Sequence, residues 1–283
     1  MVHLPSPGLA QWLCLAAFGL VAASFSIGGA AAQGKLDARY TASLAGVPVG
    51  KGAWLVDIGD DQYTAAASGA TAGLLRVFAT GQGTGASRGF VRGELLVPAV
   101  YASNITNDKH VEELRIVMSG GVAKELIVDP PTVPNPDRIP LTDAHRKGVV
   151  DPLSAGLMRV AGNGDPLSPE ICRHTIPVFD GRMRFDLGLS FKRMEKVKAD
   201  KGYQGPAVVC AVQFSPVAGY VPERAAIKYL VAQRDMEVWY APIAGTRVVV
   251  PYRISVPTPL GTGVLEATQF VATPTPPRTT ATR

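Results

Sequence analysis

Between Arg182 and Lys192 the chain reads RMRFDLGLSFK, and its apolar residues occupy every second position: Met183, Phe185, Leu187, Leu189 and Phe191. Arg182, Arg184, Asp186, Gly188, Ser190 and Lys192 fill the alternate places. Side chains of an extended strand point in turn to its two faces, so this segment predicts a strand with one apolar and one wetted side. KGAWLVDIG repeats the pattern with Trp54, Val56 and Ile58, and GDDQ then turns the chain into YTAAASG. RVFATGQGTG, SRGFVRGELL, PAVYASNITN, EELRIVMS and VAKELIV follow, the last two separated by Gly120-Gly121. Asp180-Gly181 sits at the bend before RMRFDLGLSFK, AVVCAVQF comes after the KGYQG turn, and MEVWYAP, TRVVVPYRISV and GVLEATQFV close the series. Turn residues at such spacing predict antiparallel hairpins. One-sided strands need a second layer or a closed barrel, so the fold expected is mainly β: one large curved antiparallel sheet, half-barrel or spiral.

Two short helices are expected in or against that sheet. In HRKGVVDPLSAGLMRV, Asp151 can cap, Pro152 suits a first turn, and Leu153, Leu157 and Val160 follow at roughly helical spacing. That helix would plug the curved sheet, with Met158 and Arg159 near the mouth of any pocket and Leu157, Phe185 and Leu187 on its apolar lining. PERAAIKYLVAQRD is the second, with Ile227, Leu230 and Val231 as its apolar stripe. DPPTVPNPDRIPLTD is a proline-dense connector, of the length that serves as a lid or a strap across a sheet.

Composition changes the picture at the two ends. No charged residue occurs from Leu9 to Ala32, and LCLAAFGLVAASFSIGGAAA finishes in an A-x-A arrangement at Ala30 and Ala32. This predicts a secretory signal over residues 1–32, cleaved near Ala32/Gln33, and hence a periplasmic protein. The alternative is an N-terminal membrane anchor, since the apolar run is long enough to span a bilayer. A single domain over 33–271 and a disordered Pro/Thr-rich tail over 272–283 complete the expected organisation.

Beyond the signal, two cysteines remain, Cys172 and Cys210. An even pair in an exported protein predicts a disulfide. In a flat three-strand meander the outer strands lie about 9.6 Å apart, too far for bonded cysteines. Either Cys172 precedes its strand or the sheet curls sharply. His174 beside Cys172 raises a metal site, but three ligands without paired C-x-x-C spacing argue against it, and neither metal nor cofactor is expected. The net charge of +5 suits an anionic membrane or glycan surface. Lys192, Arg193, Lys196, Lys198 and Lys201, interrupted only by Glu195 and Asp200 among charged residues, are its densest basic run, the alternative being a solvated hairpin tip. An exported chain excludes nucleic acid as the natural partner.

Motifs of catalysis match without their context. Gly85-Ala86-Ser87-Arg88-Gly89 fits G-x-S-x-G, yet the helix that a nucleophile elbow requires does not follow. Gly81, Gly83 and Ala86 fit a dinucleotide pattern with no βαβ unit around it. Glycines here are better explained by bends, bulges or close packing. Asp143, His145 and Ser154 assemble a Ser/His/Asp set on paper, with nothing to position an oxyanion hole.

YTASLAGVPVGKG, GVVDPLSAGLMRV, CRHTIPVFDGRMRFDL, CAVQFSPVAGY and RDMEVWYAPIAGTRVVVPYRISVPTPLGTGVLEATQF together resemble the exported proteobacterial family known as domain of unknown function number 3108. The resemblance implies a periplasmic β-rich protein, similar in fold to lipoprotein-carrier half-barrels or to envelope β-spirals closed by one disulfide. It carries no catalytic residues. The expectation is a non-enzymatic envelope protein that binds a lipid, a lipoprotein acyl chain or a protein partner. An envelope scaffold without a small ligand is the second reading, and a hydrolase the third.

Overall fold

The computed structural model describes residues 33–72, 81–107 and 110–276; the expected signal lies outside them, as does the end of the tail. Seven antiparallel strands come first: β1 (Gln33–Leu44), β2 (Val47–Ile58), β3 (Gln62–Thr71), β4 (Gly81–Arg92), β5 (Leu95–Asn107), β6 (Val111–Ser119) and β7 (Val122–Asp129). After the proline-rich connector come β8 (Met158–Arg159), β9 (Thr175–Phe179), β10 (Arg184–Lys198), β11 (Lys201–Gly202) and β12 (Gln204–Ala218). The helix α1 (Ala225–Ala232) leads into β13 (Met236–Pro242), β14 (Val248–Thr258) and β15 (Gly261–Thr275). All belong to one sheet in the order β7-β6-β5-β4-β3-β2-β1-β15-β14-β13-β12-β10-β9, with β8 added to β14 and β11 to β15. The first and last strands therefore pair, Gln33 opposite Thr275 and Leu44 opposite Gly263. The predicted disordered tail is corrected here: residues 272–275 continue β15, because β1 offers them a ladder.

The rolled sheet is nearly closed, and a short stretch of chain bridges the gap between its edges β7 and β9. Lys147 pairs with Val122 and Val150 with Val178. Val149 N–H donates to the Gly121 carbonyl (3.1 Å), Val150 N–H to that of Pro177 (2.8 Å), and Phe179 N–H to that of Val150 (2.9 Å). The proline-rich connector straps the same gap. Ile139 exchanges backbone hydrogen bonds of 2.8 Å with Gly219 and Tyr220 beyond β12. Arg182, in the β9–β10 turn, bonds the Pro130 carbonyl and Thr132 and pairs with Glu112 of β6 at 3.1 Å.

After Arg253 and Glu266 the strands β14 and β15 part, and the freed edges take up β8 and β11. As a result β13 and β14 are buried on both sides. Trp239, Ala241, Val248 and Val250 share a core with Leu36, Val56, Ile58 and Phe270. Val238, Tyr240 and Val249 face the opposite way, onto Ile171, Cys172 and Cys210. This explains why VWYA and VVV read as continuous apolar runs where the other strands alternate. A third cluster, with Ile116, Val149 and Phe179, packs the bridged gap.

Residues 151–160 do not form the predicted α-helix. Asp151 Oδ1 accepts the Leu153 and Ser154 N–H groups, both at 3.0 Å; a single 3-10 turn, Ser154–Gly156, follows, and the chain then extends into β8. Gly156 lies against Trp54, where a Cβ would come within 2.7 Å of the indole. The turn needs that glycine for contact, and the contact ends the helical pattern. The predicted second helix forms as α1, but none of its residues is fully buried and Val231 stays 38 % exposed.

Candidate functional site

Strand β4 reads GQGTGASRG, and its inward positions are Gly81, Gly83, Gly85, Ser87 and Gly89, alternating with Gln82, Thr84, Ala86 and Arg88 outside. The motif that resembles a nucleophile elbow is thus a strand whose inner face has almost no side chains. Two of these glycines make room for neighbours: a Cβ on Gly89 would lie 2.5 Å from the Tyr63 ring, and one on Gly85 would touch Leu153. Along β2 and β3 the same economy appears at Gly50, Gly52, Ala67 and Gly69. Beyond Trp54 and Ala65 the barrel wall therefore carries hydrogens and methyl groups where the other half carries Val56, Ile58 and Tyr63.

The room left is an apolar chamber of about 580 Å³. Gly50, Gly52, Ala67 and Gly69 form its floor, Tyr40, Trp54, Leu265 and Ile254 continue its lining across β1, β2, β15 and β14, and Pro152, Leu153 and Gly156 of the segment before β8 complete it. A second lobe of about 290 Å³ adjoins it, sharing Pro152, Gly156, Pro251 and Ile254. Leu187, Leu189, Val212, Phe214, Val238 and Leu230 of α1 line that lobe. Together the two fall within the roughly 300–1,000 Å³ usual for small-molecule sites. The Trp54 side chain is buried, and its Nε1–H has no acceptor among the described residues.

Residues 151–156 divide the lobes and are held by a buried polar knot. Ser154 Oγ donates to Asp151 Oδ2 at 2.6 Å and Ser87 Oγ to the same oxygen at 3.0 Å. The Tyr63 hydroxyl is 2.7 Å from Ser154 Oγ, which lies 2.9 Å from Ser87 Oγ. Burial pushes the Asp151 carboxyl above the usual carboxylate range, against the pull of its four donors. Burial likewise raises Tyr63 to about 12. Every polar atom of the knot has a partner, which is the chemistry of an anchor. His145 is not part of it: its Nδ1 accepts the Thr142 N–H at 3.1 Å in an exposed turn, so the structure does not assemble the Asp143, His145 and Ser154 set.

The expected site residues divide accordingly. Leu187 lines the smaller lobe; Phe185 packs at a tilt against Phe214, a lining residue, with centroids 5.4 Å apart. Leu157 is buried in the main core, Met158 packs against the disulfide cluster, and Arg159 is partly buried in β8, beside the packed core and away from both lobes. Sequence reasoning missed Trp54, Ile254 and the glycine floor, for which the period-two glycines were the available signal. The basic run is no free hairpin tip. Arg193 and Lys192 both bind Glu237, holding it below the usual range although burial opposes this. Ala199 is buried, and Lys201 begins the pairing with β15. Lys192, Lys196 and Lys198 are exposed along the part of β10 beyond β9, where lysines deter edge-to-edge pairing.

Cys172 and Cys210 are bonded, with Cα atoms 5.4 Å apart. Cys172 ends the 3-10 turn Pro169–Cys172, ahead of β9, so the bond need not reach across a middle strand. The same bond removes the thiolate that a metal beside His174 would use.

Among solved structures, a β-barrel-like protein of domain of unknown function DUF1849 from Brucella abortus is similar at a TM-score of 0.44 and 10 % identity, over 85 % of this chain and 97 % of that one. No curated protein matches the sequence. The model of the family described as "Protein of unknown function (DUF3108)" matches residues 39–268, most of the rolled sheet and the whole of the chamber wall, and the chain belongs to that family.

Proposed function

We propose that this is a non-enzymatic binding protein of the cell envelope, exported to the periplasm, that shelters the acyl chain of a lipid or lipoprotein in its two-lobed chamber. The observation that carries the reading is the glycine and alanine floor. A chain that fills much of its interior with Val, Ile, Phe and Tyr leaves two adjoining apolar volumes, and builds the floor of the larger from the smallest residues. Apolar wall without packing partners forgoes dispersion contacts. An apolar occupant recovers those contacts.

Binding of a fluorescent fatty acid to delipidated protein tests this. Gly69→Leu places a side chain in the chamber from a position where a Cβ meets nothing closer than 3.7 Å, so the fold should tolerate it. The expected result is saturable binding by the wild type, weakened about tenfold or more by Gly69→Leu, corresponding to about 1.4 kcal/mol. Absence of binding, or binding indifferent to Gly69→Leu, overturns the reading.

A further inference from the structure

The two ends of the barrel differ. At one end the β2–β3, β4–β5 and β6–β7 turns carry Gly59-Asp60-Asp61, Gly93-Glu94 and Gly120-Gly121, with Leu95 the apolar exception. Among the described residues, the chamber lining runs to the other end at Val49, Gly50 and Thr71. There Val47, Ile105, Val111 and Leu260 are 49, 47, 54 and 76 % exposed. Val47 follows the β1–β2 turn, and Leu260 is in the β14–β15 turn packed beside it, where Ala45 N–H donates to the Thr262 carbonyl at 3.0 Å. Ile105 and Val111 flank the β5–β6 connection. Exposed apolar residues spread over three hairpins make no flat patch for a protein partner, but they suit a fluid apolar phase.

Just behind these tips the outer face changes character. A groove of about 830 Å³ runs across β1 to β5, and the polar side chains lining it include Arg39, Lys51, Ser68, Gln82, Thr84 and Thr106, with no carboxylate in its lining among the described residues; Arg39 pairs with Asp37 at 3.3 Å just outside it. Lys51 has no ion-pair partner among the described residues. It lies four residues beyond Val47, about 13 Å along the strand and less along a tilted one. Apolar tips, then cations and hydroxyl groups at headgroup depth, reproduce the layering of a bilayer surface.

We propose that this end of the barrel docks on an anionic lipid surface, the four tips entering the acyl boundary while Arg39 and Lys51 meet lipid phosphates, so that a chain passes between bilayer and chamber without crossing water. The purpose assigned to docking rests on the acyl-chain reading above; the geometry of docking does not.

The test is flotation of the protein from Gln33 onward, where β1 begins, with vesicles of phosphatidylcholine alone or mixed with phosphatidylglycerol. The wild type should float with the mixed vesicles. Val111→Asp with Leu260→Asp should lower that binding by roughly tenfold or more, and Lys51→Glu should lower it on mixed vesicles only. Val111→Asp with Leu260→Asp should not alter uptake of a dissolved fluorescent fatty acid, which also shows that this variant folds; Lys51 borders the chamber, so its variant is checked for folding by circular dichroism. Lys196→Glu with Lys198→Glu should float like the wild type. Docking is overturned if the wild type takes up the fatty acid but ignores vesicles, if the tip variants float unchanged, or if the Lys196 and Lys198 variant alone loses binding. Vesicle binding through the tips in a protein that takes up no fatty acid would leave docking in place and remove the acyl-chain reading.

Discussion

Asp151 is the carboxylate that the described residues bury completely, and it is spent on holding a turn. Its oxygens receive two backbone N–H groups and two serine hydroxyls. Because burial raises its pKa, the folded protein holds the proton more tightly than the unfolded chain. Stability from this group is therefore fully present below the unfolded value, near 3.9, and is lost as pH rises through the folded value. Asp151→Asn cannot ionise and keeps an acceptor for Leu153 and Ser154, so urea midpoints between pH 4 and neutrality should fall less steeply than in the wild type. Asp151→Ala should instead lower stability by about 2–4 kcal/mol, since four donors lose their acceptor in a dry site. An Asn variant with the wild-type slope would assign the pH dependence to another group.

At the scale of elements, the backbone ladder across the gap between β7 and β9 is a few residues of extended chain, reinforced by the proline-rich strap. Val150 is its centre, donating to Pro177 and accepting from Phe179. Val150→Pro removes the donor and should speed amide exchange in β7 and β9 while leaving β2 and β3 protected; a uniform rise across the sheet would mean that the bridge opens only with global unfolding. The sequence made the strands legible because one face of each is wet, and period-two alternation survives in Met183 to Phe191 and Trp54 to Ile58. It concealed the elements whose shape depends on a distant neighbour. Gly156 ends a helical pattern because Trp54 lies against it, and the pairing of residues 272–275 depends on a strand at the opposite end of the chain. The disulfide was legible as a pair, whereas its geometry needed the turn before β9.

For the whole molecule, the pairing of β1 with β15 sets how folding proceeds. The strand that completes the ladder is the last to be made, and it also supplies Phe270 to the main core. Contacts of such separation must be reached before they stabilise anything, so refolding should take seconds or longer, the slow end for single domains. A chain ending after Thr258 should lack native near-ultraviolet circular dichroism altogether. Rapid refolding of the full chain, or a native spectrum from the shortened one, would show that β2 to β7 form a stable unit by themselves. The chamber was the least legible feature at this scale, because space is recorded in a sequence only as small residues, and glycine in a strand has several meanings until the facing wall is known.

Lys147 to Val150 bridge the sheet edges, and Asp151 to Gly156, the next residues along, are the partition inside the barrel. Nothing separates hinge from stopper. A mutation that shifts the bridge by one residue would also drag the partition along the barrel axis and change how the interior is shared between the two lobes. The division of the interior and barrel closure are thus inherited together, and a relative whose two lobes differ in size should differ at the bridge as well as at the floor.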